Sequence, residues 1–172
     1  MQQQEYRDAG SVRQGWNMGL SGGKIALVAG RVNSGKTAYL AAVVRRARAR
    51  GWPAGGLLSH GLWQEGMKTG YTLEEVSTGE RRQLADEKPL DEEDLVLDRF
   101  HFSSAALVWG NAVLVKSAGI VVVDEFGALE SEGGGLWPGI DYLLRHHPGP
   151  LLIAVRPSLL RGLLERISHV RG

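Results

Sequence analysis

The sequence contains no cysteine. That absence removes disulfides, thiolate catalysis, cysteine-ligated zinc and iron–sulfur clusters together. It fits a reducing compartment, and the cytoplasm is the expected location. Long hydrophobic runs are missing as well. The longest, Ala118 to Val123, is interrupted by Gly119 and falls far short of a bilayer span. The stretch from Met1 to Tyr6 lacks the basic-then-apolar order of a secretion signal. Neither sign of charge dominates: 20 Lys and Arg stand against 19 Asp and Glu, a net charge of +1. Nucleic acid and anionic membrane are therefore not expected partners, and composition says nothing of protein partners. Glycine, by contrast, is abundant. Its 24 residues in 172 are about twice the usual share, so the backbone must turn sharply or approach something closely in several places. The length suits a single domain over residues 1–172. Residues 1–20, polar and without a period, are expected to form an N-terminal arm.

Short apolar runs alternate with helical patterns along the rest of the chain. Lys24 to Ala29 predicts a buried strand. Thr37 to Arg50 carries Leu40, Val43, Val44 and Ala47 at helical spacing, and Gly51 and Pro53 end it. Gly55 to His60 predicts a second strand. Leu62–Gln64 and Tyr71–Val76 are expected to pair across a turn at Glu65–Lys68, with a return strand over Arg81–Leu84. The acidic stretch 86–98 is expected to be a solvated connection. Phe100 to Phe102 predicts a short strand, and Ser103 to Ala118 a helix burying Leu107, Ala112 and Val115. Ile120 to Val123, β-branched throughout, predicts a strand buried on both faces. A helix over Leu136–His146, a strand over Leu151–Val155 and a helix over Pro157–Ile167 follow. Such alternation indicates an α/β domain with a mainly parallel sheet.

One segment carries a strong chemical signal. Gly30-Arg31-Val32-Asn33-Ser34-Gly35-Lys36-Thr37 matches G-x-x-x-x-G-K-[ST] between a predicted strand and a predicted helix. A loop that wraps a phosphate must aim its amides inward and bring its backbone close, which Gly30 and Gly35 permit. Lys36 would reach the β- and γ-phosphates. Thr37 would offer its hydroxyl to Mg²⁺, and Ala38 would continue the helix N-terminus that favours an anion. The nucleotide-binding set is thus Gly30, Arg31, Val32, Asn33, Ser34, Gly35, Lys36, Thr37 and Ala38.

Such a site also needs an acid at the end of a neighbouring strand. Asp124 follows Val121-Val122-Val123 and would hold Mg²⁺ through water; Glu125 would orient a water toward the γ-phosphate. Arg156, at the next strand end, would neutralise developing charge, or else is a surface arginine. Arg161 is a second candidate for that role, and His60 would line the mouth. The alternative is a small-molecule or nucleotide kinase on a related fold. Against it, no arginine-rich lid is visible and an acid at Glu125 suits water. A module that uses nucleotide to switch its partners also remains open.

These residues resemble the small P-loop nucleoside-triphosphatases known from thermophiles and, in animals, as cancer-related nucleoside-triphosphatase. The resemblance rests on Gly30–Thr37, Gly66–Tyr71, Ser77–Ala85, Val123–Glu130 and Gly133–Pro138, and spans roughly 24–168. It implies a three-layer fold with a RecA-like, mainly parallel sheet and an inserted β-hairpin. It also implies Mg²⁺-dependent hydrolysis of ATP, GTP and other nucleoside triphosphates to the diphosphate. The family often carries an arginine where Trp63 stands, a second basic residue where Lys68 stands, and Phe where Tyr71 stands.

Overall fold

A computed structural model describes residues 24–171; the arm expected over 1–20 lies outside the described residues. The chain runs β1 (Ile25–Ala29), α1 (Lys36–Arg48), β2 (Ala54–Gln64), β3 (Met67–Glu75), β4 (Arg81–Asp86), β5 (Leu95–Leu97) and β6 (Phe100–Phe102). It continues α2 (Ser104–Lys116), β7 (Ile120–Phe126), α3 (Ala128–Ser131), α4 (Trp137–His146), β8 (Leu151–Val155) and α5 (Leu160–Arg171). A 3₁₀ turn over Pro157–Leu159 links β8 to α5. All strands join one sheet in the order β1-β8-β7-β2-β3-β4-β6-β5. The half from β1 to β2 is parallel and the half from β2 to β5 is antiparallel, so the described sheet is mixed where a mainly parallel one was expected. The expected inserted hairpin is β2–β3, and β4, β6 and β5 extend it into a wider antiparallel wing.

The strands sort their side chains by period two. Val121 and Val123 of β7 and Leu151, Ile153 and Val155 of β8 face one core, with α2, α4 and α5 packed over it. Ile120, Val122, Leu152 and Ala154 face the other, under Leu40, Val44 and Ala47 of α1. Burial on both sides explains why these strands read as continuous apolar runs, and it makes the three layers. The β2–β7 contact is close. Gly56 has φ 101°, and a Cβ there would lie 1.9 Å from the Val122 carbonyl oxygen. Among the described residues no helix is long and apolar enough to cross a membrane.

Three further expectations change in detail. Residues 54–64 form one strand, not two, because the chain reverses at Glu65-Gly66 alone, with φ 51° and 80°. Positive φ at both positions is the twist that two-residue hairpins require. Helix α2 buries Ala106, Leu107, Gly110, Val113 and Leu114, while Ala112 and Val115 are exposed. Its sequence is apolar nearly all round, so period alone does not set its face. The acidic connection is partly structural. Asp94 accepts from the Leu90 and Asp91 amides, Asp91 accepts from the Ala105 amide at 3.2 Å, and β5 lies within the stretch.

Candidate functional site

Three strand ends and a loop meet at the carboxyl edge of the parallel half. Strand β1 hands its chain to the loop Gly30–Thr37, and the Gly30 amide donates to Val155 O of β8 at 3.1 Å. The loop then reverses through Asn33 (φ 60°) and Gly35 (φ 92°). Gly35 caps α1 without a side-chain bond, so its first-turn amides are available to an anion. Arg31, Val32, Asn33, Ser34, Gly35 and Ala38 are exposed, Gly30 and Thr37 half-buried, and Lys36 buried. Lys36 Nζ donates to Gly30 O and Arg31 O, both at 2.9 Å. The loop thus holds its own ammonium at the centre of its curve.

Strand β7 delivers the acids. Asp124 is 3% exposed, and its Oδ2 accepts from the Ser59 amide of β2 at 3.2 Å. Thr37 Oγ1 donates to Ser59 O at 3.4 Å, and its hydroxyl also favours the ionised Asp124 carboxylate. Burial raises the Asp124 pKa; the bonds from Thr37 and Ser59 work the other way without cancelling it. A divalent cation would relieve that penalty, and a carboxylate beside a hydroxyl is a hard-oxygen pair. Among the described residues no three His, Cys, Asp or Glu side chains converge on one point. A cation here would take its other ligands from water and phosphate, as Mg²⁺ favours. The residues fit Mg²⁺.

Glu125 lies where the β7–β8 register slips between Asp124 and Phe126, and it meets Arg156, where β8 ends. Arg156 Nε donates to Glu125 Oε1 at 2.5 Å. Burial opposes the Arg156 charge, but the hydrogen bond to Glu125 and the negative charge of Glu125, Tyr71 and Glu130 together outweigh it and raise the guanidinium pKa. The structure therefore brings Lys36, Thr37, Asp124, Glu125 and Arg156 to one edge. Arg161 is not among them. It lies on α5, 92% exposed, and pairs with Glu165 one turn on. His60 is not at a strand end, because β2 continues to Gln64; its Nε2 stands 2.9 Å from Glu74 Oε2 without hydrogen-bond geometry.

The sequence offered no sign of Ser59, whose backbone ties Asp124 to Thr37. Glu130 is a second buried acid. Its carboxylate accepts from the Gly127 and Leu136 amides, both at 2.9 Å, and so fixes the turn that follows β7. Burial raises its pKa. A separate cavity of about 530 Å³, lined by Trp52, Pro53, Ile120 and His147, opens at the opposite end of the strands. None of the loop or acid residues lines it.

Known proteins resemble this chain over most of its length. A solved human cancer-related nucleoside triphosphatase matches with a TM-score of 0.61 at 15% identity, covering 83% of this chain and 84% of that one. Two curated relatives are each a nucleoside-triphosphatase THEP1. The one from Caldivirga maquilingensis is 28% identical over 149 residues, 83% of this chain and 85% of the relative. The one from Thermoplasma volcanium is 24% identical over 152 residues, 84% and 82% respectively. The family model described as NTPase matches residues 25–172, nearly all of the described chain, and the protein belongs to that family.

Proposed function

We propose that this NTPase cleaves the β–γ bond of ATP, GTP and related nucleoside triphosphates with Mg²⁺, using Glu125 to activate water. The observation that carries the reading is the position of Glu125. It directly follows the buried Asp124 and is held at 2.5 Å by Arg156, at the edge where the loop opens. The loop amides and Lys36 bind the β- and γ-phosphates, Lys36 exchanging its two carbonyl partners for charged oxygens. Thr37 and Asp124 would hold Mg²⁺, which would neutralise charge on the phosphates.

Glu125 accepts a proton from water as the water oxygen forms its bond to the γ-phosphorus. The bond from that phosphorus to the bridging oxygen breaks, and its electron pair stays on the β-phosphate. The products are nucleoside diphosphate and orthophosphate. Arg156 orients Glu125 and offsets the negative charge gathered there. No described side chain is assigned to the base, and a permissive site is the simplest consequence.

The test incubates the protein with Mg²⁺ and a panel of nucleoside triphosphates, with and without small acceptors. Orthophosphate should appear from several nucleotides with no acceptor present. Phosphate found solely on an added acceptor would make the protein a kinase instead.

A further inference from the structure

The hairpin β2–β3 reaches over the loop with a single cation. Lys68 is the one lysine or arginine between Ala54 and Glu75. Its Nζ donates to Asn33 Oδ1 of the loop at 3.1 Å, and three features aim it there. Trp63 faces Lys68 across the hairpin, and Gly61 faces Tyr71. The ammonium lies 5.1 Å from the Trp63 ring centre and 4.8 Å from that of Tyr71, so two aromatic faces flank it. Gly61 leaves room for the stem: a Cβ there would stand 3.0 Å from Lys68 Cε. From behind, Arg99 Nη2 donates to Lys68 O at 2.7 Å, while Arg99 Nη1 pairs with Glu87 at 3.0 Å. The hairpin is thereby tied to the wing at the point that carries the lysine.

The charges around Lys68 are those of the site. Burial lowers its pKa; Glu125 and Asp124 act to raise it, and Arg156 and Lys36 to lower it. Glu125 is the strongest of these charged neighbours. Lys68 is thus within electrostatic reach of Glu125, the group proposed to activate water. A four-carbon stem lets its ammonium leave a neutral amide oxygen for a charged one nearby. The two ring faces add a cation–π attraction that holds the ammonium beside the loop.

We infer that Lys68 is a further catalytic residue: the hairpin brings its ammonium to the γ-phosphate, where it neutralises charge that grows as the phosphoryl group passes to water. This rests on the hydrolase reading above. A contact to the γ-phosphate predicts discrimination between triphosphate and diphosphate, which a merely structural lysine would not supply.

The experiment compares the wild-type chain with Lys68→Met, Lys68→Arg and Gly61→Ala. Orthophosphate release gives kcat and KM. Displacement of a fluorescent nucleotide by ADP and by a non-hydrolysable ATP analogue gives the two affinities, and thermal melting checks the fold. Lys68→Met should lose roughly 10²-fold in kcat, the scale of one transition-state donor. It should weaken the triphosphate analogue and leave ADP unchanged. Lys68→Arg should recover part of the rate, and Gly61→Ala should show a smaller loss of the same kind. Wild-type kcat in Lys68→Met, or equal weakening of ADP and analogue, overturns the inference. Should Lys68→Met fail to fold, Lys68→Arg and Gly61→Ala decide by the same two readouts. A wild-type protein that releases no orthophosphate would sink the hydrolase reading, while the comparison of ADP with analogue would still decide whether Lys68 meets the γ-phosphate.

Discussion

Replacing Glu125 by Gln separates chemistry from folding. The Glu125 and Arg156 side chains are 27% and 40% exposed, so solvent screens their pairing. A pair this exposed contributes roughly 0.2–1 kcal/mol to stability, and Gln keeps an acceptor for Arg156. In a chain of this size about 1 kcal/mol moves the melting temperature by roughly 2–4 °C. The expected shift lies at or below the low end of that range. The kinetic effect is of another order. A positioned general base contributes roughly 10²–10⁴-fold, and 10²-fold corresponds to about 2.7 kcal/mol of barrier. Glu125→Gln should therefore bind nucleotide as the parent does, melt within a few degrees of it, and turn over at most about a hundredth as fast. Steady-state orthophosphate release at saturating Mg²⁺ and nucleotide would be measured beside nucleotide affinity and thermal melting. Turnover within about threefold of the parent, against the 10²-fold expected of a base, would place proton acceptance elsewhere. A rate loss that merely tracks a large drop in melting temperature would make Glu125 a structural residue.

Three other perturbations bear on the same edge. Lys36→Ala removes an ammonium now shared by Gly30 O and Arg31 O; nucleotide affinity by calorimetry should fall roughly 10- to 100-fold, the range for a bond to a charged group. Asp124→Asn should lower turnover and flatten its Mg²⁺ dependence, and chelating divalent cations should stop the wild-type enzyme; hydrolysis that survives chelation would refute the metal role. Gly56→Ala drives a Cβ to 1.9 Å from Val122 O at a φ of 101°. Strain and overpacking together should cost roughly 2–6 kcal/mol, visible in denaturant unfolding, and a stable Gly56→Ala would mean that β2 and β7 sit further apart.

The parallel half of the sheet was legible because burial on both faces leaves an unmistakable trace. Ile120–Val123 and Leu151–Val155 carry no polar residue, and each ends at a charged one. The antiparallel half has weaker marks. Gly61 breaks the apolar pattern of β2 and suggests an end, yet the strand continues, since that glycine makes room for the Lys68 stem. Glu65-Gly66 is a tight hairpin turn without the Asn or Asp that usually announces one. Helix α2 shows the opposite difficulty: with apolar residues on every side, what fixes its buried face is the packing of Gly110 against Leu136, Leu73 and Leu57.

The site divides along the same line, by sequence distance. Gly30 to Thr37 forms one uninterrupted loop, and Asp124 and Glu125 are neighbours, so residue type and spacing carry the chemistry directly. The bonds that connect these pieces have no such signature. Ser59 reaches Asp124 across 65 positions and does so through its backbone amide, a donor that any residue but proline would supply. Lys68 reaches Asn33 across 35 positions. No pattern within either segment predicts the meeting; it follows from β2 lying next to β7, with the hairpin folded back beyond the strand end. The parallel order sets Ser59 beside Asp124, and the two-residue turn at Glu65-Gly66 sets Lys68 opposite Trp63. A longer turn would shift that register by a residue and point the lysine to the other face of the sheet. Hairpin length is thus coupled to the chemistry at the loop, although no residue of the turn touches it.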